Sequence, residues 1–321
     1  MTQRALITGI GGQDGSLLAE RLIDEGYEVV GVTRRDPAEY PNLERVRGRA
    51  LILAVDLRDC SSVERVLREV EPTEAYNFAS ATFVPASWDD PVDTLHHAAA
   101  VTTALLEAIR STGGEIRFCQ ASSSEIFGDP AEVPQTETTP VQPITPYGMA
   151  KALVHWLTRA YRSQHDLHAS SAILYNHESP RRPATFLPRK VSLGVARIKA
   201  GLQHELRLGD LDARRDWGFA GDYVSAMHRM TCAPSPSDYV VATGELHSVR
   251  ELVAIAFARA GLDPDEHVTV DETLVRRERS RELVGDASKA RERLGWAPVL
   301  SFEELVWLLV DSDLERVAAA A

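Results

Sequence analysis

Short apolar runs and longer amphipathic stretches take turns along the first half of the chain. RALITGI predicts a strand, GSLLAERLIDEGY a helix and EVVGVTR a second strand. A helix near SSVERVLREVEP, a strand at EAYNFAS, a long helix through PVDTLHHAAAVTTALLEAIR and a strand at EIRFCQASS follow. TPYGMAKALVHW opens the next helix, with Thr145 placed to cap it and Pro146 in its first turn. Its apolar side is expected along Leu153, Trp156 and Leu157, and HASSAILYN then reads as a strand. Strands alternating with helices predict an α/β chain, a Rossmann-type doubly wound parallel sheet covered on both faces. After residue 176 the rhythm loosens, and NHESPRRPATFLPRK reads as loop. DYVVATG, SVRELVAIAFARAG, EHVTVDE and SFEELVWLLVDSDLERV predict a smaller α/β cap, and the tail ERVAAAA is expected to fray.

Composition narrows the function classes. With 321 residues, 44% hydrophobic and 26% charged, the chain can bury a full core as one large domain or two intimate ones. The expected division is 1–176 as a nucleotide-binding domain, with a later segment near 210–245 returning to it, and 177–321 mainly as a substrate-binding cap. MTQRALITGIGG opens directly as strand and turn, and no apolar run nears the roughly 18 residues that span a bilayer. A cytoplasmic protein without a membrane partner is expected. Cys60, Cys119 and Cys232 lie far apart without CxxC or His-rich spacing, so neither a metal site nor a disulfide framework is indicated. A formal charge of −12 argues against nucleic acid as partner, while leaving room for a small anion held locally.

ITGIGGQDGSLLAE sets Gly9, Gly12 and Gly15 between the first strand and the first helix, with Gln13 and Asp14 among them. One glycine permits the tight turn, another close approach of backbone to a pyrophosphate, and the third close helix–strand packing. The helix N-terminus then faces the phosphates. The G-x-x-G-x-x-G spacing suggests the extended short-chain dehydrogenase/reductase branch. At the end of the second strand, GVTRRD places Arg34 and Arg35 before Asp36, which favours the 2′-phosphate of NADP, with NAD as the alternative. In that branch Asp56 of VDLRD, beside Leu57, would hold the adenine edge.

Tyr147 precedes Lys151 by one helical turn, so both lie on one face. A phenol near pKa 10 is a poor base, and a neighbouring ammonium favours its phenolate form. QASSSEIFGDP supplies Ser122, Ser123 and Ser124 as hydroxyl donors for a substrate oxygen, then Glu125 as a second acid/base. Oxidising an alcohol to a ketone acidifies the adjacent C–H. A carboxylate there can remove that proton and expel a hydroxyl one carbon further on, giving a redox-neutral dehydratase.

RALITGIGGQDGSLLAE, QASSSEIFG, LYNHESPRR, LGDLDARRDWGFAGDYV and VVATGELHSVREL together resemble the GDP-mannose 4,6-dehydratase family over nearly the whole chain. The resemblance implies Ser123, Glu125, Tyr147 and Lys151 as the catalytic set. It implies Asn176, Arg189, Lys190, Arg215 and Arg276 around the sugar nucleotide, and NADP as cofactor. Its loop after the paired arginines is serine-rich and reaches a neighbouring subunit's cofactor. Here the loop reads DPAEYPNLERVRGR, pointing to a homodimer through the long helices and away from a tetramer. Thr82 and Phe83 stand where the family has Ser and His, and Arg279 where it has an acid. Those departures keep another nucleoside diphosphate hexose open as substrate, and a sugar-nucleotide reductase or 4-epimerase is the nearest alternative activity. A non-catalytic NADP sensor would have no need of the complete Ser, Tyr and Lys set.

Overall fold

A computed structural model describes residues 3–80, 82–113, 115–274 and 282–320. The expected alternation is realised as β1 (Arg4–Thr8), α1 (Gln13–Asp24), β2 (Glu28–Thr33), β3 (Leu51–Ala54), α2 (Cys60–Val70), β4 (Glu74–Asn77), α3 (Pro91–Ser111), β5 (Arg117–Ala121), α4 (Pro146–His165) and β6 (Ala169–Leu174). The next segments are β7 (Asn176–Glu178), α5 (Leu187–Lys199), β8 (Leu206–Leu208), β9 (Arg214–Arg215), β10 (Trp217–Phe219), α6 (Ala220–Cys232) and β11 (Asp238–Val241). The described chain closes with β12 (His247–Ser248), α7 (Val249–Ala260), β13 (Val268–Val270), α8 (Ser288–Leu294) and α9 (Phe302–Ala320).

Seven strands form one parallel sheet in the order β11-β6-β5-β4-β1-β2-β3. Strand order reverses between β1 and β4, so the loops at their carboxyl ends diverge and open a crevice for a ligand. Helices cover both faces. On one side Leu18, Leu22, Tyr76, Tyr223 and Met227 pack α1 and α6 on the sheet. On the other Val63, Leu67, Val101, Leu105 and Phe118 pack α2 and α3. A separate core joins α5, α7 and α9 through Val191, Val195, Leu252, Phe257, Leu305 and Leu309. Strand β11 pairs with β6 in the large sheet, while β7–β10, β8–β13 and β9–β12 make small two-stranded sheets beside it.

Three local expectations fail for physical reasons. Helix α5 starts inside the stretch read as loop, because Pro188 occupies the first turn, where a missing N–H is harmless. The tail does not fray at Glu315: α9 runs to Ala320, as an alanine run with high helix propensity allows. On α4 the buried side runs through Ala150, Val154 and Thr158, whereas Trp156 is 50% exposed. Its apolar residues are therefore divided between core and surface.

Candidate active site

The glycine turn follows β1 directly. Gly9 takes φ +67°, a left-handed conformation suited to glycine, and Gly12 N donates to Gly9 O at 2.9 Å. A Cβ on Gly15 would sit 2.5 Å from Gly9 O, so only glycine lets α1 start this close to the strand. Gln13 and Asp14, in the first turn of α1, are gripped by the NHESPRR segment. Gln13 Nε2 donates to His177 O at 3.1 Å, Ser179 Oγ donates to Gln13 Oε1 at 2.8 Å, and His177 Nε2 lies 3.1 Å from Asp14 Oδ2. Burial alone would raise the Asp14 carboxyl, but the charge and hydrogen bond of His177, with Arg182, hold it at about 2. Burial likewise opposes the charged form of His177, and Asp14 outweighs it and raises the imidazole pKa. Arg181 extends the clamp to Ser16 at 2.9 Å and to Glu20.

At the carboxyl end of β5 the chain turns through a short 3-10 segment, Ser124–Ile126, with Ser123 at its cap accepting from Glu125 N at 3.2 Å. Helix α4 abuts that turn. Thr145 Oγ1 accepts from Gly148 N at 3.0 Å, and Ser87 Oγ accepts from Tyr147 N at 3.2 Å. The Ser123 hydroxyl lies near the Tyr147 phenol and favours its ionised form. Lys151, one turn on, donates from Nζ to Ala121 O at 3.0 Å, and the same nitrogen lies 5.7 Å from the Tyr147 ring centroid. Glu125 is half-buried beside them.

The electrostatics of this pocket differ from the sequence expectation. Burial pushes the Tyr147 phenol up to about 12, with the Ser123 hydroxyl opposing it and the Glu125 charge adding to it. Burial also brings Lys151 down to about 8. An ammonium taken out of water is itself destabilised, so without a ligand it does not turn its neighbour into a phenolate.

Arg34 and Arg35 end β2 in solvent, Arg35 with its ion-pair partner Glu39 at 3.0 Å and stacked over Tyr40. Asp56, at the end of β3, is exposed and held at about 2 by its hydrogen bonds to Arg58, and Leu57 packs partly into the core. The loop after the paired arginines folds back on its own chain. Leu43 and Val46 are fully buried, and Asn42 Nδ2 donates to Gly11 O at 3.4 Å and to Arg181 O at 3.3 Å. These residues fit a dinucleotide: Gly12 leaves space that a side chain would fill, its backbone begins a helix, and two exposed guanidiniums close the far end.

The residues expected at the sugar nucleotide are more dispersed. Asn176 lies on β7 with Nδ2 3.5 Å from Asp216 O. Lys190 Nζ donates to Arg207 O at 2.6 Å, and Arg215 lies on β9, with Nη1 donating to Arg214 O at 2.7 Å. Arg189 is 2% exposed, its guanidinium closed on Asp313 of α9 and on Arg182 O. Its charge is thus spent inside the cap core, where an unpaired cation would be expensive. Arg276 and Arg279 fall outside the described residues.

Other residues, given no site role from the sequence, also stand in this region. Ser87 fixes the start of α4, and His177 locks the Asp14 side chain. Arg182 lies 3.7 Å over the Phe186 ring, which meets Phe83 edge-on at 5.4 Å. The NHESPRR motif signalled His177 and Arg182, and Phe83 stood out as a departure from the resembled family, while Ser87 carried no signal. The motif's residues act here by holding the cap's first loop against the glycine turn.

The family model described as GDP-mannose 4,6 dehydratase matches residues 6–308. GDP-mannose 4,6 dehydratase 1 of Arabidopsis thaliana is 45% identical over 326 residues, covering 97% of this chain and 90% of that protein. The human GDP-mannose 4,6 dehydratase is 41% identical over 339 residues, covering 97% and 91%. Among solved structures, a UDP-glucose 4-epimerase of Thermus thermophilus in complex with NAD superposes with a TM-score of 0.85 at 28% identity, over 97% of this chain and 99% of that one. The epimerase shares the architecture at 28% identity, whereas the dehydratases are 41–45% identical over 97% of this chain. The chain belongs to the GDP-mannose 4,6 dehydratase family.

Proposed function

We propose that this chain converts GDP-mannose to GDP-4-keto-6-deoxy-mannose with NADP as a recycled cofactor. The observation that carries the reading is Ser123 and Glu125 beside the Tyr147 phenol, with Lys151 one turn away and 5.7 Å from its ring. NADP would be held by the glycine turn and by Arg34 and Arg35, and it would supply the hydride chemistry at C4 and C6. Ser123 holds the 4-oxygen while Tyr147 takes its proton. The 4-ketone acidifies C5–H, Glu125 removes that proton, and the C6 hydroxyl leaves as water. A proton returns to C5 as C6 is reduced, so atoms and electrons balance with the loss of one water.

Asn176, Lys190, Arg215 and Arg276 are the residues we assign to the sugar nucleotide, where the cap built mainly from 177–321 meets the nucleotide-binding domain of 1–176 and its returning segment near 210–245. We assign Arg189 to holding the cap that carries them. A homodimer is proposed through α3 and α4, whose Val92, Met149 and Trp156 are 61%, 45% and 50% exposed. Light scattering on a Trp156→Glu variant should show the dimer mass falling to the monomer, and an unchanged mass would remove that face from the interface.

Incubation with GDP-mannose and catalytic NADP⁺, followed by mass, tests the activity. Loss of one water without net NADPH is expected, and Tyr147→Phe should lower turnover by roughly 10²–10⁴-fold while keeping cofactor affinity. A product of unchanged mass and altered configuration would overturn dehydration in favour of epimerisation.

A further inference from the structure

Far from the glycine turn, at the amino ends of the strands, a polar cluster is enclosed by β4, α6 and the turn from α1 into β2. His228 and Cys232 stand one helical turn apart on α6 and face Glu74, the first residue of β4. A ring nitrogen, the sulfur and a carboxylate oxygen of these three all lie within 4.8 Å of one another. Glu74 is 4% and His228 8% exposed, while Cys232 opens to solvent. The hydroxyl of Tyr27 lies 3.2 Å from Glu74 Oε1 and 3.1 Å from His228 Nε2, and Tyr76 and Thr231 attend the other Glu74 oxygen. On the far side of the imidazole, Nδ1 lies 3.2 Å from Glu25 Oε2.

Among the described residues, no lysine or arginine forms an ion pair or hydrogen bond with the Glu74, His228 or Cys232 side chain. With Nδ1 holding its proton toward Glu25, Nε2 presents a lone pair. Tyr27 then has a single proton for two acceptors, Nε2 and Glu74 Oε1. The neighbouring cations are engaged elsewhere: Arg21 with Glu25 at 2.9 Å, Arg117 with the carbonyls of Thr231 and Ala233, and Arg229 with those of Leu294 and Gly295.

We propose that Glu74, His228 and Cys232 bind a zinc-class divalent ion. One thiolate, one imidazole and one carboxylate are the donor types zinc accepts, and bonds of about 2.0–2.3 Å require the three ligand atoms to draw closer together. The thiol proton leaves to solvent on binding. Tyr27 supplies the fourth neighbour, and Glu25 on Nδ1 is the carboxylate that orients a metal-bound histidine. The ion ties α6 to β4 and to the α1–β2 turn, without touching Tyr147 or Glu125. The sequence expectation of no metal looked for clustered cysteines. Here the ligand set is His-x-x-x-Cys on one helix, completed by a glutamate distant in sequence.

The full-length protein, stripped with chelator and checked by circular dichroism, is loaded with Zn²⁺ or Co²⁺ and dialysed. One retained equivalent is expected, with a thiolate-to-cobalt charge-transfer band and a higher melting temperature on adding Zn²⁺. Cys232→Ser should abolish the band, while Glu25→Gln should keep it and weaken affinity by roughly tenfold or more. Cys60→Ser should behave as wild type. Retention in wild type no greater than in Cys232→Ser, or a band lost with Cys60→Ser and kept with Cys232→Ser, would overturn the assignment.

Discussion

Lys151 carries a conflict between stability and function. Its folded pKa of about 8 lies below the ordinary 10.5, because burial disfavours the charge. Below about pH 8 the ammonium is charged in both folded and unfolded chains, and the fold bears the whole penalty. As pH rises from about 8 to 10.5 the folded chain sheds that proton first, so stability rises across that window. Lys151→Met should therefore stabilise the ligand-free protein at pH 7 by up to about 3 kcal/mol, flatten the alkaline rise and abolish turnover. Denaturant titrations at pH 7 and pH 10 check both parts, and an equal or lower stability of the variant at pH 7 would contradict the burial argument. The Tyr–Lys spacing was legible in the sequence because it is local. The direction of the phenol shift was not, since it depends on burial by segments that only the fold brings in.

Among the elements, the start of α4 has the tightest tolerance. A Cβ on Gly148 would stand 2.6 Å from Glu125 O, with Pro143 and Thr145 at 3.2 Å. Alanine would gain roughly 1 kcal/mol of helix propensity there, yet it must push the helix away from the Ser123–Glu125 turn. Displacing Tyr147 by a fraction of an ångström should lower kcat of Gly148→Ala by about ten- to a hundredfold, with little change in melting temperature. A variant with wild-type kcat would show that the turn gives way instead. Strands, helices and the glycine turn could be read from pattern because each rests on residues within a few positions. The clamp between His177 and Asp14 joins residues 163 positions apart, and no periodicity encodes that pairing.

At the scale of the whole molecule, the apolar cap core encloses a buried ion pair. Arg189 and Asp313 join α5 to α9 across 124 positions of sequence, and Ser192 shares the carboxylate at 2.6 Å. Asp313→Leu alone should cost about 3–5 kcal/mol by stranding a buried guanidinium, whereas Arg189→Met with Asp313→Leu should recover most of it. If Arg189 serves the cap core, the double variant keeps KM for GDP-mannose near wild type. A large rise in KM with stability restored would return Arg189 to the substrate. The sequence resemblance marked this arginine as important, but it could not tell a ligand contact from an internal strut.

The loop that follows Arg35 has a consequence for mass action. In the family that this chain resembles, the corresponding loop reaches a neighbouring subunit's cofactor. Here it closes on Gly11 and Arg181 of its own chain through Asn42. A cofactor site completed between subunits weakens on dilution, because it is lost when they part. This one should behave as a private site. NADP affinity measured at nanomolar protein should equal that at micromolar protein, and affinity that falls as the protein is diluted would place part of the site on a second copy.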